Sequence, residues 1–245
     1  MNASNSQGYY DEFFKTFNEK GWTLFNQKIY RLEDEKVLGS ELLLRVGITG
    51  SYLDNSAFFP EICNDPRYLE VSFNVLNLVE HIILNSPKLF SDRTFVNISP
   101  SEIRDNQIFS KLLKIVQLFL KEDKKIVLEL SEICKPEEFK EILDKFNEIT
   151  SNGGEIAIDD YGKGILTYED FDKIKLSFIK LDKTISTQKS IKNDSLKKMV
   201  NYCEVKNICC IAEGLETEAS VKKAMENNIF VGQGFHFHKP EKFNS

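Results

Sequence analysis

The stretch Thr23–Arg45 reads TLFNQKIYRLEDEKVLGSELLLR and decides the topology of the chain. It contains two apolar, strand-like runs, Thr23–Tyr30 and Val37–Arg45, which are separated by Arg31 to Lys36. A helical crossover between parallel strands needs about a dozen residues, whereas a hairpin needs only a short turn. Six residues are therefore too few for a crossover, and the two runs are predicted to form an antiparallel hairpin.

Six further strand-like runs follow the hairpin, and segments with helical periodicity separate most of them. They are Thr94–Ile98, Lys125–Leu130, Glu155–Ile158, Ser177–Leu181, Ile208–Ala212 and Ile229–Gly232. Eight strands that alternate with helices over about 250 residues are typical of a (β/α)8 barrel. The predicted fold is therefore α/β, a modified (β/α)8 TIM-like barrel with an antiparallel first strand. We assign residues 21–245 to this single barrel and residues 1–20 to an N-terminal extension with a helix over Tyr9–Lys20.

The composition indicates a folded protein and excludes some classes of binding partner. The chain has 245 residues, of which 41% are hydrophobic, so it can bury a substantial core. Its formal net charge is −6 and it shows no basic stripe, so a nucleic-acid polymer is not an expected partner. The five cysteines include no C-x-x-C pair, and no apolar run approaches the roughly 18 residues of a membrane helix. We therefore expect a soluble, cytoplasmic protein that does not bind membranes.

Polar residues occupy the carboxyl ends of the otherwise apolar strands. Such residues are expensive to bury unless they are paired or bind cations. In a barrel these strand ends converge on one face, which is where active sites lie. The residues concerned are Glu41, Asn97, Glu129, Asp159, Asp160, Lys180, Glu213 and Gln233. The first five offer only oxygen ligands, which favours Mg²⁺ or Mn²⁺, and their number suggests two ions, an arrangement common in phosphodiester hydrolysis.

Each of these residues also has an ordinary structural explanation. A single strand-end Glu or Asn is usually a loop cap or a salt-bridge partner, and the Asp-Asp-Tyr-Gly segment at residues 159–162 is typical of a turn. These explanations weaken because most of the strands carry a polar residue at the corresponding end. His236 and His238 follow the last strand, but no matching His or Cys residues accompany them, so we do not expect them to be metal ligands.

Seven blocks of sequence occur in a specific order between about Phe25 and Pro240. They are Glu41-Leu42-Leu43-Leu44-Arg45, Val96-Asn97-Ile98-Ser99-Pro100, Glu129-Leu130-Ser131-Glu132, Asp159-Asp160-Tyr161-Gly162-Lys163-Gly164, Lys180-Leu181-Asp182, Ala212-Glu213-Gly214-Leu215-Glu216-Thr217, and Gln233-Gly234 with Lys239-Pro240. Together they resemble the EAL domain family, the bacterial phosphodiesterases that hydrolyse cyclic di-GMP. The family signature E-A-L-x-R corresponds to the first block, with Leu42 in place of Ala. Any one block alone would be a weak signal.

The resemblance implies a stand-alone EAL domain that hydrolyses cyclic di-GMP to linear pGpG with two Mg²⁺ or Mn²⁺ ions and is inhibited by Ca²⁺. It also implies a homodimer. By position in the motifs, the metal ligands are Glu41, Asn97, Glu129 and Asp159, with Asp159 bridging and Asp160 serving the second ion. Lys180, Glu213 and Glu41 are the catalytic residues, and Gln27, Arg45 and Gln233 lie around the substrate. Glu132, Asp182 and Glu216 are implied to support the site from the neighbouring loops.

The sequence also departs from the family pattern outside the first block. Lys28 replaces the Pro of a Gln-Pro segment, and Leu166 replaces the first Ser of the loop after Asp160, which in the family gates dimerisation and the second metal. The implied metal and lysine positions are intact. The alternative hypothesis is a catalytically weak or inactive EAL module that acts as a cyclic di-GMP receptor or regulates a protein partner. A different metal phosphodiesterase on a similar barrel is a third hypothesis.

Overall fold

The computed structural model describes residues 3–19, 21–48, 51–53, 62–131, 135–162, 166–183 and 194–243. The strands are β1 (Trp22–Arg31), β2 (Val37–Ile48), β3 (Ser51–Tyr52), β4 (Arg93–Ile98), β5 (Lys125–Ser131), β6 (Glu155–Tyr161), β7 (Phe178–Leu181), β8 (Cys209–Ala212), β9 (Val231–Gly232) and β10 (Glu241–Lys242). The α-helices are α1 (Ala3–Asn18), α2 (Tyr68–Asn85), α3 (Pro100–Arg104), α4 (Asn106–Lys121), α5 (Pro136–Ser151), α6 (Tyr168–Phe171), α7 (Asp194–Lys206) and α8 (Glu218–Glu226).

Eight of the strands close into a barrel. β1 and β2 form the predicted antiparallel hairpin, with Gln27 paired to Glu41. Parallel pairing then joins β2, β4, β5, β6, β7, β8 and β9 in that order, and β9 closes the barrel by pairing antiparallel with β1. β10 pairs with β1 at Phe25 and Asn26. The prediction of a modified (β/α)8 barrel with an antiparallel first strand is therefore confirmed.

The helices between the strands pack their apolar faces on the outside of the barrel. In α4 the buried residues include Ile108, Leu112, Ile115 and Phe119, which recur at helical spacing. α5 begins at Pro136, a position where proline loses no helical hydrogen bond. Among the described residues, no helix is long and apolar enough to cross a membrane.

The N-terminal extension forms a longer helix than predicted. The prediction began the helix at Tyr9, whereas α1 spans Ala3–Asn18. Phe13, Phe14 and Phe17 are buried in a small core that also contains Val46 of β2. Because Phe17 also stacks on Trp22 at 5.0 Å, aromatic packing attaches α1 to the first hairpin.

A layer of apolar side chains fills the barrel beneath its carboxyl end. It contains Ile29, Phe95, Val127, Ala157, Phe178, Ile211 and Val231, one from each of seven barrel strands. Gly39 is the corresponding residue on β2. A Cβ atom at this position would lie 2.6 Å from the carbonyl oxygen of Arg93. These side chains form a cluster separate from the core beneath the helices, so the barrel interior is packed rather than open. We call this set the apolar layer.

Candidate active site

A layer of polar residues lies directly above the apolar layer. Side chains two positions apart on a strand point to the same face, so each strand places the residue two positions beyond its apolar member in the interior as well. On β1, which runs in the opposite direction, the corresponding residue lies two positions before. These residues are Gln27, Glu41, Asn97, Glu129, Asp159, Lys180, Glu213 and Gln233. We call this set the polar layer; it contains eight of the thirteen site residues predicted from sequence.

Lys180 occupies the centre of the polar layer. Its Nζ atom lies 3.2 Å from Glu41 Oε2, 2.9 Å from Glu129 Oε1, 3.2 Å from Asp159 Oδ1 and 3.0 Å from Glu213 Oε1. The lysine side chain is 1% exposed and that of Glu129 is 0% exposed. Because an ammonium group has three protons, it cannot donate to all four carboxylates at once. Lys180 therefore acts here mainly as a buried positive charge shared by the cluster.

The cluster shifts the pKa values of its members in different directions. Burial raises the pKa of Glu129 and of Asp159, and repulsion from Glu41 adds to both shifts. Burial also raises the pKa of Glu213 to about 8, against the attraction of Lys180. Burial opposes ionisation of Glu41 too, but the ammonium and two amide donors outweigh it and lower that pKa. The pKa of Lys180 is raised well above its usual value, because the carboxylates outweigh the burial of its charge.

Three amide side chains hold Glu41 and its surroundings. Asn97 Nδ2 donates to Glu41 Oε1 at 3.0 Å, and Gln233 Nε2 donates to Glu41 Oε2 at 2.8 Å. Gln233 Nε2 also donates to Gln27 Oε1 at 3.0 Å. Gln27 Nε2 in turn donates to the carbonyl oxygen of His238 at 3.0 Å. Neutral donors therefore bind both carboxylate oxygens of Glu41, and Lys180 also contacts Oε2.

Asp160 lies at an irregularity in the barrel wall. The pairing of β6 with β7 shifts register between Ile158 and Tyr161, and Asp160 adopts a φ of 58°. Asp tolerates this left-handed conformation better than most residues do. Burial raises the pKa of Asp159, and repulsion from the charge of Asp160 adds to that shift.

The donor set fits a divalent metal by its chemistry. Four carboxylates against one ammonium leave a formal excess of three negative charges when all are ionised. Glu129 Oε2 is buried and has no hydrogen-bond partner among the described residues. Oxygen ligands of this kind are those that Mg²⁺ and Mn²⁺ prefer. In the described part of the chain, however, no group of three or more His, Cys, Asp or Glu side chains is arranged to hold an ion, and the carboxylates converge on Lys180 instead.

The remaining predicted site residues lie in the barrel strands, in the segments that follow them, or outside the described residues. Asp182 is buried directly after β7. Arg45 donates to the carbonyl oxygen of Leu44 at 3.0 Å, and its guanidinium lies 5.9 Å from the Phe25 ring. Glu216 is exposed just before α8, and Glu132 is outside the described residues.

Sequence reasoning missed one residue that contacts the polar layer. From the sequence alone, His238 is not expected to be a metal ligand and no other role is assigned to it. Its backbone carbonyl nevertheless accepts a hydrogen bond from Gln27. Its ring Nδ1 also accepts from the backbone N–H of Lys28 at 3.3 Å. Nothing in the local sequence signals these contacts, because they join residues more than 200 positions apart.

Comparison with known proteins gives one family and consistent structural neighbours. The model of the family described as EAL domain matches residues 11–240. The chain is 29% identical to the cyclic di-GMP phosphodiesterase PdeA of Borreliella burgdorferi, over 97% of this chain and 36% of that protein. It is 27% identical to the cyclic di-GMP phosphodiesterase PdeR of Escherichia coli, over 68% of this chain and 26% of that protein. The chain thus spans about a third of the length of these curated relatives.

Among solved structures, the chain is similar to the EAL enzyme Bd1971 in its cAMP- and cyclic-di-GMP-bound form. The TM-score is 0.81 at 22% identity, and the match covers 98% of this chain and 68% of that one. The FimX EAL domain of Pseudomonas aeruginosa bound to cyclic di-GMP gives a TM-score of 0.72 at 15% identity, over 93% of each chain. At these identities the likeness establishes the fold.

Proposed function

Because the chain belongs to the EAL domain family, we propose that it hydrolyses cyclic di-GMP to linear pGpG and so lowers the level of a bacterial second messenger. The names of its curated relatives support this substrate. The observation that carries the proposal is the polar layer, in which four carboxylates surround Lys180 at the carboxyl end of the barrel. A buried excess of carboxylates is stable only where a cation or protons balance the charge.

We assign two divalent ions, Mg²⁺ or Mn²⁺, to this cluster, with Ca²⁺ as an inhibitor. Their ligands would be Glu41, Asn97, Glu129 and Asp159, with Asp159 shared between the ions and Asp160 serving the second. When bound, the ions would supply positive charge for the phosphates and lower the pKa of a bound water from about 15.7 toward 7. The carboxylates must first exchange contacts with Lys180 for contacts with the ions.

The residues of the polar layer that do not hold the ions have roles toward the attacking water. Lys180 Nζ stabilises the negative charge that develops on the water oxygen. The carboxylate of Glu213, whose Oε1 lies 3.0 Å from Lys180 Nζ, can accept a proton from the water. Gln233 Oε1 is buried with no hydrogen-bond partner among the described residues, so it can accept from the water. In-line attack on the phosphorus then expels the 3′-oxygen.

The substrate would lie over the polar layer, at the carboxyl end of the barrel. We assign substrate contacts to Gln27 and Arg45, which come from the two strands of the first hairpin. Asp182 and Glu216 would support the loops after β7 and β8, and Glu132 would act on the loop after Asp160.

We also propose a homodimer formed through the loop after Asp160, and a cytoplasmic location. Residues 163–165 of that loop lie outside the described residues, while Leu166 beside them is buried in the main core. The described cysteines are free thiols, which suits a reducing compartment. Light scattering after size-exclusion chromatography tests the dimer, and a monomer mass at micromolar concentration would exclude it.

Turnover by the purified protein is the direct test. Cyclic di-GMP is incubated with the protein and Mn²⁺ or Mg²⁺, and the products are separated by chromatography. We expect pGpG to form. Glu41→Gln should reduce its formation at least a hundredfold, because residues that only orient metal ligands already contribute about 10–100-fold and Glu41 is assigned as a ligand itself. The matched control is Glu155→Gln, since Glu155 is also a strand carboxylate but pairs with Arg93 at 2.9 Å at the other end of the barrel.

The alternative is a receptor that binds cyclic di-GMP without hydrolysing it. One observation favours it: among the described residues, no carboxylate group is arranged to hold an ion as the side chains stand. Binding of cyclic di-GMP with no pGpG after prolonged incubation with either ion would refute the phosphodiesterase and favour the receptor. Wild-type turnover by Glu41→Gln would show instead that the catalytic site is assigned to the wrong residues.

A further inference from the structure

A chain of hydrogen bonds links the loop after β9 to Glu41. His238 O accepts from Gln27 Nε2 at 3.0 Å, Gln27 Oε1 accepts from Gln233 Nε2 at 3.0 Å, and Gln233 Nε2 donates to Glu41 Oε2 at 2.8 Å. Gln27 is 8% exposed and Gln233 is 5% exposed, so water has little access to compete for these bonds. We call this set of bonds the amide relay.

The chemistry of its two ends fixes the direction of the amide relay. A backbone carbonyl and an ionised carboxylate can only accept hydrogen bonds, so the amide NH₂ groups must face them. Reversing Gln27 would bring its Oε1 against His238 O, and reversing Gln233 would bring its Oε1 against Glu41. As a result, Gln233 Oε1 is the atom left buried and without a partner among the described residues. The relay therefore determines which atom of Gln233 is available to a hydrogen-bond donor in the site.

The imidazole ring of His238 holds the outer end of the amide relay. Its Nδ1 accepts from Lys28 N at 3.3 Å, and its Nε2 lies 3.2 Å from Glu241 Oε1. A neutral ring with its proton on Nε2 satisfies both contacts. Lys28 follows Gln27 on β1, and Glu241 pairs with Asn26 of the same strand through β10. The ring is 13% exposed and thus fastens the loop to β1 beside Gln27.

We propose that His238 is a positioning residue for Glu41 and Gln233, acting through the amide relay rather than by touching the substrate. This inference rests on the proposed function for its kinetic consequence, but its structural part does not depend on catalysis. Partners that orient the residues of a metal site contribute about 10–100-fold to metal affinity or activity. Loss of the ring contacts should therefore disorder the amides and slow the chemical step, while a substrate still binds the same surface.

The test compares His238→Ala with His236→Ala, because His236 belongs to the same loop and is exposed. The first readout is nuclear magnetic resonance of the side-chain NH₂ groups of Gln27 and Gln233. In His238→Ala we expect their exchange with solvent to be about tenfold faster, whereas His236→Ala should match the wild type. The second readout is kinetic: kcat should fall about tenfold in His238→Ala, whereas KM should rise by a smaller factor, because Gln27 is one of two residues assigned to contact the substrate.

His238→Asn is the conservative variant, because its Oδ1 can accept from Lys28 N as the ring Nδ1 does. We expect it to restore slow amide exchange and most of kcat, and it decides the question if His238→Ala does not fold. Unchanged amide exchange in His238→Ala, an equal effect in His236→Ala, or no recovery in His238→Asn would each overturn the proposal. If the wild-type protein lacks turnover but the variants show the expected differences in amide exchange, the proposed function is contradicted and the positioning role is supported.

Discussion

Replacing Lys180 with Met should destabilise the metal-free protein and increase its stabilisation by divalent ions. The substitution keeps most of the side-chain length and removes the charge that four carboxylates share within 3.2 Å. Removing one partner of a buried ion pair costs about 3–5 kcal/mol. We expect the lower end of that range, since the raised pKa values of Glu129, Asp159 and Glu213 let these groups take up protons instead. For a protein of this size, ~3 kcal/mol corresponds to a fall in Tm of about 6–12 °C.

The assay is thermal unfolding followed by calorimetry in EDTA and again in millimolar Mg²⁺ or Mn²⁺. In EDTA the variant should melt well below the wild type. Added ions should raise its Tm more than they raise that of the wild type, because the ions replace the missing charge without displacing an ammonium. The matched control is Lys173→Met: Lys173 also pairs with a carboxylate, Asp170 at 2.7 Å, but its side chain is 41% exposed, where ion pairs contribute about 0–1 kcal/mol.

Equal Tm values for Lys180→Met and the wild type in EDTA would refute this reasoning, because they would mean that the ammonium does not balance the cluster. An equal fall in Lys173→Met would refute it as well, since burial would then make no difference. A smaller response of Lys180→Met to the ions than of the wild type would show that lysine and metal support each other rather than compete.

Two further substitutions test packing and charge away from the ions. Burial raises the pKa of Glu102. Its contribution to stability is therefore present below about pH 4.5 and is lost as pH rises through the folded-state pKa. In urea unfolding, the stability advantage of wild type over Glu102→Gln should shrink between about pH 4.5 and pH 8, and an increase would contradict this prediction. Gly39→Ala should destabilise the protein by about 1–3 kcal/mol in denaturant unfolding, because the new Cβ would lie 2.6 Å from Arg93 O. Gly8→Ala, which would meet nothing within 4 Å, is its control, and equal midpoints for the two variants would exclude the clash.

The order and type of the barrel strands were predictable from local pattern, but their ends were not. The six-residue spacing predicted the β1–β2 hairpin correctly, and apolar runs located the six later strands. The last run was predicted over Ile229–Gly232, whereas β9 comprises only Val231–Gly232. Asn228 before it has a φ of 60°, which ends the preceding segment in a turn. Strand length here depends on pairing with β8 and β1, which is a tertiary property.

The same division holds for the site. Strand alternation and barrel closure together predicted that Glu41, Glu129, Asp159 and Lys180 would meet, because each is a polar residue of a barrel strand and such residues converge on one face. The sequence did not predict that all four carboxylates would converge on Lys180, since this depends on the register and tilt of neighbouring strands. Nor did it predict the amide relay, whose members come from opposite ends of the chain and meet only when β9 and β10 pair with β1.

The apolar layer closes the barrel interior beneath the polar layer. Side chains such as Phe95 and Phe178 pack against each other with ring centroids 5.0 Å apart, so nothing passes through the barrel from below. Under the proposed function, the ions and the dinucleotide would therefore both have to reach the polar layer from the carboxyl end of the barrel, and a bound dinucleotide would lie over the ions. Ions would then have to arrive before the dinucleotide and could exchange only after the product had left. On that proposal, the closed base of the barrel would set an order of binding that no residue of the polar layer sets by itself.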